Sequence, residues 1–304
     1  MNRTALSLAA AGGLLLPWFI TAQTQDPEEG TRQLWNSQFF QKRPEGKAPS
    51  AAPPKNIVYK PVAQAKAAPP RPAGSGIIDT LLGVTLWRLR SPRPADDPNS
   101  RLLVIEEDNT SNSDLVPERV DIDTPLNEGD RVRLTVEVPR SGYLYVIDRE
   151  TYADGTSSAA YLIYPNYKTR AGDNSVAAGR IVEVPDQRDT PNHFRLRRSK
   201  PDQTAEILTM LITPDPLPNL TITRKPLALP EELYAEWEKK YGVQAERFDL
   251  AGGLGTAYTG AEKKAGGDGQ ARMTKDDPMP QTLYRVPAPE GRAILLSVPV
   301  KLKR

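Results

Sequence analysis

Hydrophobic and polar residues alternate with a period of two through the middle of the chain. Apolar and polar side chains alternate in residues 84–90, and in residues 131–138 every second side chain is apolar, which is typical of a half-buried antiparallel strand. Turn-forming residues separate such runs, for example Asp154-Gly155. Further strands are predicted at residues 102–106, 143–148, 159–164, 180–184, 206–213 and 293–301. The pattern predicts a mainly β fold, an antiparallel β-sandwich with two immunoglobulin-like layers.

A helical period occurs once in the C-terminal half of the chain. Leu233, Trp237 and Tyr241 are spaced by four residues, and together they predict one amphipathic helix over residues 230–241. The following residues, 251–279, are rich in Gly, Ala, Lys and Asp and predict a flexible loop. Residues 293–302 predict a final buried strand, in which Pro299 indicates an edge position.

The N-terminal quarter of the chain has a different pattern. Residues 1–22 combine one positive charge with an apolar run and predict a signal peptide. Residues 23–41 form a short segment with helical spacing of its aromatic residues. Residues 42–76 contain eight prolines, which disfavour helices and central strands, and predict a disordered Pro/Ala/Lys-rich linker. The sequence therefore predicts that the β-sandwich domain occupies residues 77–304.

Composition excludes several classes of chemistry. The chain has no cysteine and a single histidine, His193, so it cannot form a disulfide, a cysteine zinc site or a histidine metal cluster within one chain. No Gly-x-Ser-x-Gly motif accompanies His193, which the sequence predicts to be an ordinary surface residue. The net charge is only +2, and the linker carries seven Lys and Arg residues against one Glu. This basic segment favours either a solvated linker or attraction to an anionic surface.

A series of short motifs resembles a known bacterial family. They are Gly129-Asp130-Arg131, Gly142-Tyr143-Leu144-Tyr145-Val146, Tyr164-Pro165-Asn166 and Asn174 to Gly179, followed by the apolar strand 206–211. In this order they resemble the domain of unknown function DUF4384, over residues 129–214. The resemblance implies an exported or surface protein, or a module that works beside caspase-like or kinase domains. It implies no catalytic residues, since the family has no settled activity.

Aromatic and polar residues near these motifs are the candidate binding residues. An aromatic platform for a glycan would use Tyr143, Tyr145, Tyr164, Asn166 and Tyr167, whereas the alternative is that the tyrosine rings pack between the sheets. Residues 108–114 offer oxygen ligands, but they lack the glycine and glutamate of an EF-hand loop and favour a polar loop. We therefore expect no metal and no cofactor.

These features predict an exported, non-enzymatic envelope or secreted protein that is periplasmic, cell-surface or extracellular. We expect its partner to be an envelope protein or a cell-wall polymer. Nucleic acid is not expected, because no basic patch has interleaved aromatic residues. A membrane is expected only if the signal segment stays uncleaved. The alternatives are a carboxylate-dependent glycan hydrolase and a regulatory module that acts with a separate protease or kinase.

Overall fold

The computed structural model describes residues 27–46, 58–62, 76–93, 115–267 and 272–304. The predicted signal peptide, the predicted strand at 102–106 and the polar loop at 108–114 lie outside the described residues. No helix in the described part of the chain has the length and apolarity needed to cross a membrane.

The described strands form two antiparallel sheets, as the alternating pattern predicted. In chain order they are β1 Tyr59–Val62, β2 Ile77–Arg90, β3 Val116–Val120, β4 Arg131–Glu137, β5 Gly142–Tyr152, β6 Tyr161–Tyr164, β7 Ser175–Val176, β8 Ile181–Val184, β9 Phe194–Arg195, β10 Gln203–Thr213, β11 Leu227–Ala228, β12 Glu246–Leu250, β13 Thr282–Pro289 and β14 Ile294–Lys301. The first sheet has the order β1-β12-β13-β2-β4-β8, with β3 on β2 and β9 on β4. The second sheet has the order β11-β6-β5-β10-β14, with β7 on β5.

The core lies between the two sheets. Val132, Leu134 and Val136 point inward from β4, while Leu144 and Val146 point inward from β5 and meet them in one buried cluster. Because successive strand residues face opposite sides, the intervening residues of both strands lie on the outer faces. The two-layer sandwich predicted from the sequence is confirmed.

The predicted helix covers the outer face of the second sheet. The helix α2, Glu231–Tyr241, follows the helix α1, Pro27–Gln38, in chain order. The buried residues of α2 are Tyr234 and Trp237, whereas Leu233 and Tyr241 of the predicted apolar stripe are only half-buried. The buried face of the helix is therefore rotated from the predicted one. Rotation by one residue brings the larger ring of Tyr234 onto the sheet, where its hydroxyl lies 3.1 Å from the Thr209 hydroxyl.

Parts of the predicted linker, residues 42–76, pack onto the sandwich. β1 pairs with β12, and Tyr59 is fully buried. Arg43 follows a short 3-10 helix, Phe40–Lys42, and is 3% exposed. Together with Trp35 and Phe39 of the preceding segment, Tyr59 packs in an apolar cluster on the outer face of the first sheet. The prolines in and around β1 indicated against a strand in the sequence. β1 nevertheless forms, because it lies at the edge of its sheet, where a proline is tolerated.

The central part of the predicted flexible loop, residues 251–279, has regular structure. It contains a third helix, α3, Gly260–Gly267, so the C-terminal half has two helices rather than one. Glu262 and Ala265 are buried where α3 packs on β8. High Gly and Lys content concealed this helix, since its stability comes from contacts with the sheet rather than from helix propensity.

Candidate functional site

A cleft that combines several charged side chains lies along the edge of β8 that pairs with no described strand. It has a volume of about 430 Å³ and opens between β7, β8 and the last turn of α3. We call it the β8 cleft; its walls come from Arg170, Asp173, Ser175–Ala177, Arg180–Glu183, Asp186, Arg188, Ala265 and Gly266.

One wall is the loop between β6 and β7, which carries unusual backbone geometry. Arg170 and Ala171 have φ values of 47° and 52°, a region that non-glycine residues rarely adopt. The Arg170 backbone N–H donates to Asp189 Oδ1 at 3.0 Å, and its guanidinium donates to the Tyr164 hydroxyl at 2.9 Å. Strained backbone held by its surroundings is characteristic of ligand-binding loops.

The same loop positions Asp173 at the rim of the cleft. Its carboxylate accepts hydrogen bonds from the Ser175 backbone N–H at 2.9 Å and from Arg170 at 3.2 Å, and its side chain is 55% exposed. Burial acts to raise the pKa of Asp173, but the hydrogen bonds from Ser175 and the charge of Arg170 outweigh it and lower the pKa overall. Asp173 is therefore an ionised acceptor at neutral pH.

The opposite wall is the loop after β8. Asp186 is buried, and its two carboxylate oxygens accept from Arg188 Nε at 2.9 Å and Nη2 at 3.0 Å. Hydrogen bonding to Asp186 raises the pKa of Arg188. The Arg188 side chain stays 60% exposed, so this fork is accessible to a ligand.

Glu183 forms the inner end of the cleft and is held from three sides. Arg133 lies 3.6 Å from its carboxylate, the Tyr258 hydroxyl donates to it, and the Gln187 backbone N–H donates at 3.1 Å. Burial raises the pKa of Glu183 even though Arg133 acts in the opposite direction. Gly266 of α3 lies directly against this carboxylate, where a Cβ atom would come within 2.4 Å of it.

The structure separates the five residues predicted to bind a ligand. Tyr143 and Tyr145 lie on the outer face beside α2, and the Tyr145 hydroxyl accepts from the Leu217 backbone N–H at 2.8 Å. Tyr164 faces the opposite way into the core, and its hydroxyl donates to the Asp173 carbonyl at 2.8 Å. Asn166 is buried, whereas Tyr167 is 56% exposed. The five side chains do not form one aromatic platform.

Three of these five residues nevertheless shape the β8 cleft. Tyr164 anchors Arg170 and Asp173, as given above. The Asn166 side chain accepts from the Lys168 backbone N–H at 2.8 Å and donates to the Ile163 carbonyl, which fixes the turn. A Cβ atom on Gly172 would lie 3.2 Å from the Tyr167 ring, so this ring rests against the residue next to Asp173. Tyr167 is therefore an exposed aromatic ring on this loop, and it is not one of the residues that line the cleft.

Sequence reasoning missed the charged residues of the cleft. Asp173, Asp186 and Arg188 are ordinary loop residues in the sequence, and nothing in their spacing predicts that two loops meet. His193, expected at the surface, is buried, and its pKa is lowered first by burial and then by Arg131, Arg133 and Arg195. Among the described residues, no group of three acidic or histidine side chains is arranged to hold a metal ion.

A pair of acidic residues lies away from the cleft at one end of the second sheet. Asp148 and Glu206 share the inner face of β5 and β10, and Glu150 is directly opposite Glu206. Burial raises the pKa of Asp148 to about 6, and burial together with the charge of Asp148 raises the pKa of Glu206 to about 8. One proton is therefore held between two neighbouring carboxyl groups near neutral pH.

Comparison with known proteins agrees with the resemblance seen in the sequence. The model of the Domain of unknown function (DUF4384) matches residues 126–215, which run from just before β4 to just after β10. Both loops of the β8 cleft lie within the matched residues. No curated protein and no solved structure matched the chain.

Proposed function

We propose that the protein is an exported, non-enzymatic β-sandwich protein of the bacterial envelope that binds a neutral cell-wall glycan in the β8 cleft. The observation that carries this proposal is the Arg188–Asp186 fork, whose arginine is exposed, opposite the Arg170–Asp173 pair across an open cleft of about 430 Å³. Planar side chains of both signs offer donors and acceptors side by side, as the hydroxyl and amide groups of a sugar require.

Charge balance favours a neutral ligand over an ionic one. Each cleft carboxylate already has cationic or hydrogen-bonding partners: Arg188 for Asp186, Arg170 for Asp173, and Arg133 for Glu183. A strongly charged ligand would have to compete with these pairs. The same pairing supports a binding role over catalysis, because a general acid or base needs a proton-transfer position that is not already filled.

The exposed ring of Tyr167 adds an apolar face to the loop that forms one wall of the cleft. Aromatic rings bury large areas at little conformational cost, and their faces suit the C–H side of a sugar ring. Tyr167 is 56% exposed and is backed by Gly172, so it can cover a ligand that extends out of the cleft.

The direct test measures binding of the full mature chain to N-acetylglucosamine tetramer by calorimetry, and its co-sedimentation with purified insoluble cell walls. We expect Arg188→Ala, which removes a lining side chain, and Tyr167→Ala, which removes the exposed ring on the loop that forms one wall, each to bind at least about tenfold more weakly. Tyr161→Ala is the matched control, because Tyr161 is also exposed, at 41%, but lies at the start of β6, where it pairs with Ala228 of β11. Equal binding by all four proteins, or no binding by the wild type, contradicts the proposal.

A carboxylate-dependent glycan hydrolase is the second candidate, and the Asp148–Glu206 pair favours it. Glycoside hydrolysis uses two carboxyl groups of which one is protonated, and the pKa of Glu206 near 8 would keep it so at neutral pH. Release of reducing ends from cell walls by the wild type, abolished in Asp148→Asn, would support this activity. Absence of release at any pH between about 5 and 8 would remove it.

A further inference from the structure

A second cleft lies on the outer face of the first sheet, between the chain before α3 and the loop after β8. Its volume of about 420 Å³ falls within the range of about 300–1,000 Å³ that is typical of small-molecule sites. We call it the Tyr258 cleft; its described walls include Leu89, Leu115, Arg133, Ala257, Tyr258 and Lys263.

The floor of the Tyr258 cleft and one of its walls are apolar. Leu89 faces outward from β2, because Leu86 and the residues that alternate with it enter the core. Together with Trp87 and Leu115, Leu89 forms a separate apolar cluster, against which Tyr258 packs. The rings of Tyr258 and the fully buried Trp87 meet edge to face, with centroids 4.5 Å apart. The apolar surface is therefore held in place by the fold.

Arg133 forms the polar part of the floor, and its charge is balanced. One of its terminal nitrogens lies 3.6 Å from the buried Glu183 carboxylate, to which the Tyr258 hydroxyl also donates. Arg133 Nε and Nη2 donate to the Asn192 carbonyl at 3.0 and 2.7 Å. Because Glu183 balances its charge, Arg133 gives the cleft oriented N–H groups without an excess of charge.

Lys263 adds a positive charge that Glu183 does not balance. This residue lies on the exposed side of α3, and its backbone carbonyl accepts from Gln187 Nε2 at 2.6 Å, which ties this turn of the helix to the loop after β8. Within the described residues, no carboxylate lies within ion-pair distance of the Lys263 ammonium. The described lining also includes no acidic side chain, so the cleft has a single positive charge in excess.

An apolar surface beside one excess positive charge suits a ligand that is apolar at one end and singly anionic at the other. A carboxylate accepts from an ammonium and from a guanidinium N–H at once, whereas a phosphate dianion would bring two negative charges to one excess positive charge. We propose that the Tyr258 cleft binds a small organic acid with an apolar body and one carboxylate group. This site differs from the β8 cleft, and the proposal does not depend on the proposed glycan binding.

The test compares three probes by calorimetry with the full mature chain at low ionic strength. Octanoate has both an apolar body and a carboxylate, octanamide has the same body without the charge, and acetate has the charge without the body. We expect saturable binding of octanoate, at least about tenfold tighter than that of octanamide, and no measurable binding of acetate. Equal binding of octanoate and octanamide, or no binding of octanoate, overturns the proposal.

The role of the excess charge is measured with a pair of lysine variants. Lys263→Gln should weaken octanoate binding about tenfold and leave octanamide binding unchanged, because only the carboxylate interacts with the ammonium. Lys264→Gln is the matched control, since Lys264 is the next residue of α3, is also exposed and is not among the described lining residues. Equal weakening of octanoate binding by both variants contradicts a site at Lys263.

The position of the apolar body is measured by filling the cleft. Ala257→Leu places a larger side chain among the lining residues, and we expect it to weaken the binding of octanoate and octanamide alike. Urea denaturation establishes that this variant is folded. Unchanged octanoate binding by folded Ala257→Leu argues against this cleft as the site.

A variant of the β8 cleft separates this proposal from the proposed glycan binding. Arg188→Ala alters the β8 cleft and should bind octanoate as the wild type does. Loss of octanoate binding in Arg188→Ala would assign that binding to the β8 cleft and overturn the proposal.

Discussion

Arg43 and Glu137 form an ion pair that is enclosed almost completely by protein. Arg43 Nη2 donates to both carboxylate oxygens of Glu137, at 2.9 and 2.8 Å, and the two side chains are 1% and 4% exposed. Arg43 comes from the N-terminal segment and Glu137 from the outer face of β4. The ion pair thus fixes a segment predicted to be linker onto the sheet.

Removal of Arg43 should destabilise the fold strongly. In Arg43→Ala, Glu137 remains buried without its counter-ion, and breaking a buried pair in this way costs about 3–5 kcal/mol. Urea denaturation of the variant measures this loss. Arg32→Ala is the control, because Arg32 pairs with Glu28 on an exposed helix surface and should cost less than about 1 kcal/mol.

Deletion of the predicted linker should expose an apolar surface. A chain that begins at residue 77 lacks Trp35, Phe39 and Tyr59, which bury their rings on the first sheet, at about 1.5–3 kcal/mol for each large side chain. We expect a lower urea midpoint and increased binding of a hydrophobic dye, relative to a chain that begins at residue 23. Identical midpoints for the two chains would show that the N-terminal segment does not contribute to the folded domain.

Two glycines of the same helix should respond in opposite ways to substitution. In Gly266→Ala the new Cβ would lie 2.4 Å from the Glu183 carboxyl carbon, which Tyr258 and Arg133 hold in place. We expect α3 to detach and proteolysis between residues 251 and 279 to become faster. Gly260→Ala meets no atom within 4 Å and should leave proteolysis unchanged or slower. Similar cleavage rates in both variants would be inconsistent with the described packing of α3.

The acidic pair should make stability depend on pH. Asp148 and Glu206 have native pKa values of about 6 and about 8, above their usual values, so the folded chain keeps protons that the unfolded chain has released. The free energy of unfolding should therefore fall as pH rises through about 6 and then about 8, on the order of 2 kcal/mol after solvent screening is allowed for. Denaturation at pH 5.5 and pH 8.5 measures the difference.

A neutral side chain at position 206 provides the control for this pH effect. Glu206→Gln removes the group with the higher pKa, and we expect the difference between the two pH values to shrink. Glu232→Gln changes an exposed helix residue instead and should preserve the difference. A pH dependence that survives unchanged in Glu206→Gln would assign the effect to other groups.

Local sequence patterns predicted those strands and helices in which the spacing of apolar and polar residues matches the period of the element. The alternation in β4 is visible because half of its side chains enter the core, and α2 is visible because Trp237 and its neighbours recur at a helical spacing. β1 and α3 were missed for the opposite reason. By themselves, the residues of β1 and α3 favour neither a strand nor a helix. Both elements are held in place by contacts with strands that are distant in the sequence.

The same distinction applies to the candidate sites. The motif around Tyr164 and Asn166 indicated a structured turn, and the turn forms one wall of the β8 cleft. The motif gave no sign of the opposite wall, because Asp186 and Arg188 reach the cleft only when β8 pairs with β4.

By itself, the sequence determined the two-layer β architecture, the family resemblance and the absence of cysteine chemistry, since alternation, motif order and composition are properties of neighbouring residues or of simple counts. The tertiary structure decided which charges meet. Arg43 and Glu137 are 94 positions apart, and the free energy of their interaction depends on a low-dielectric environment that exists only after the sheets have packed.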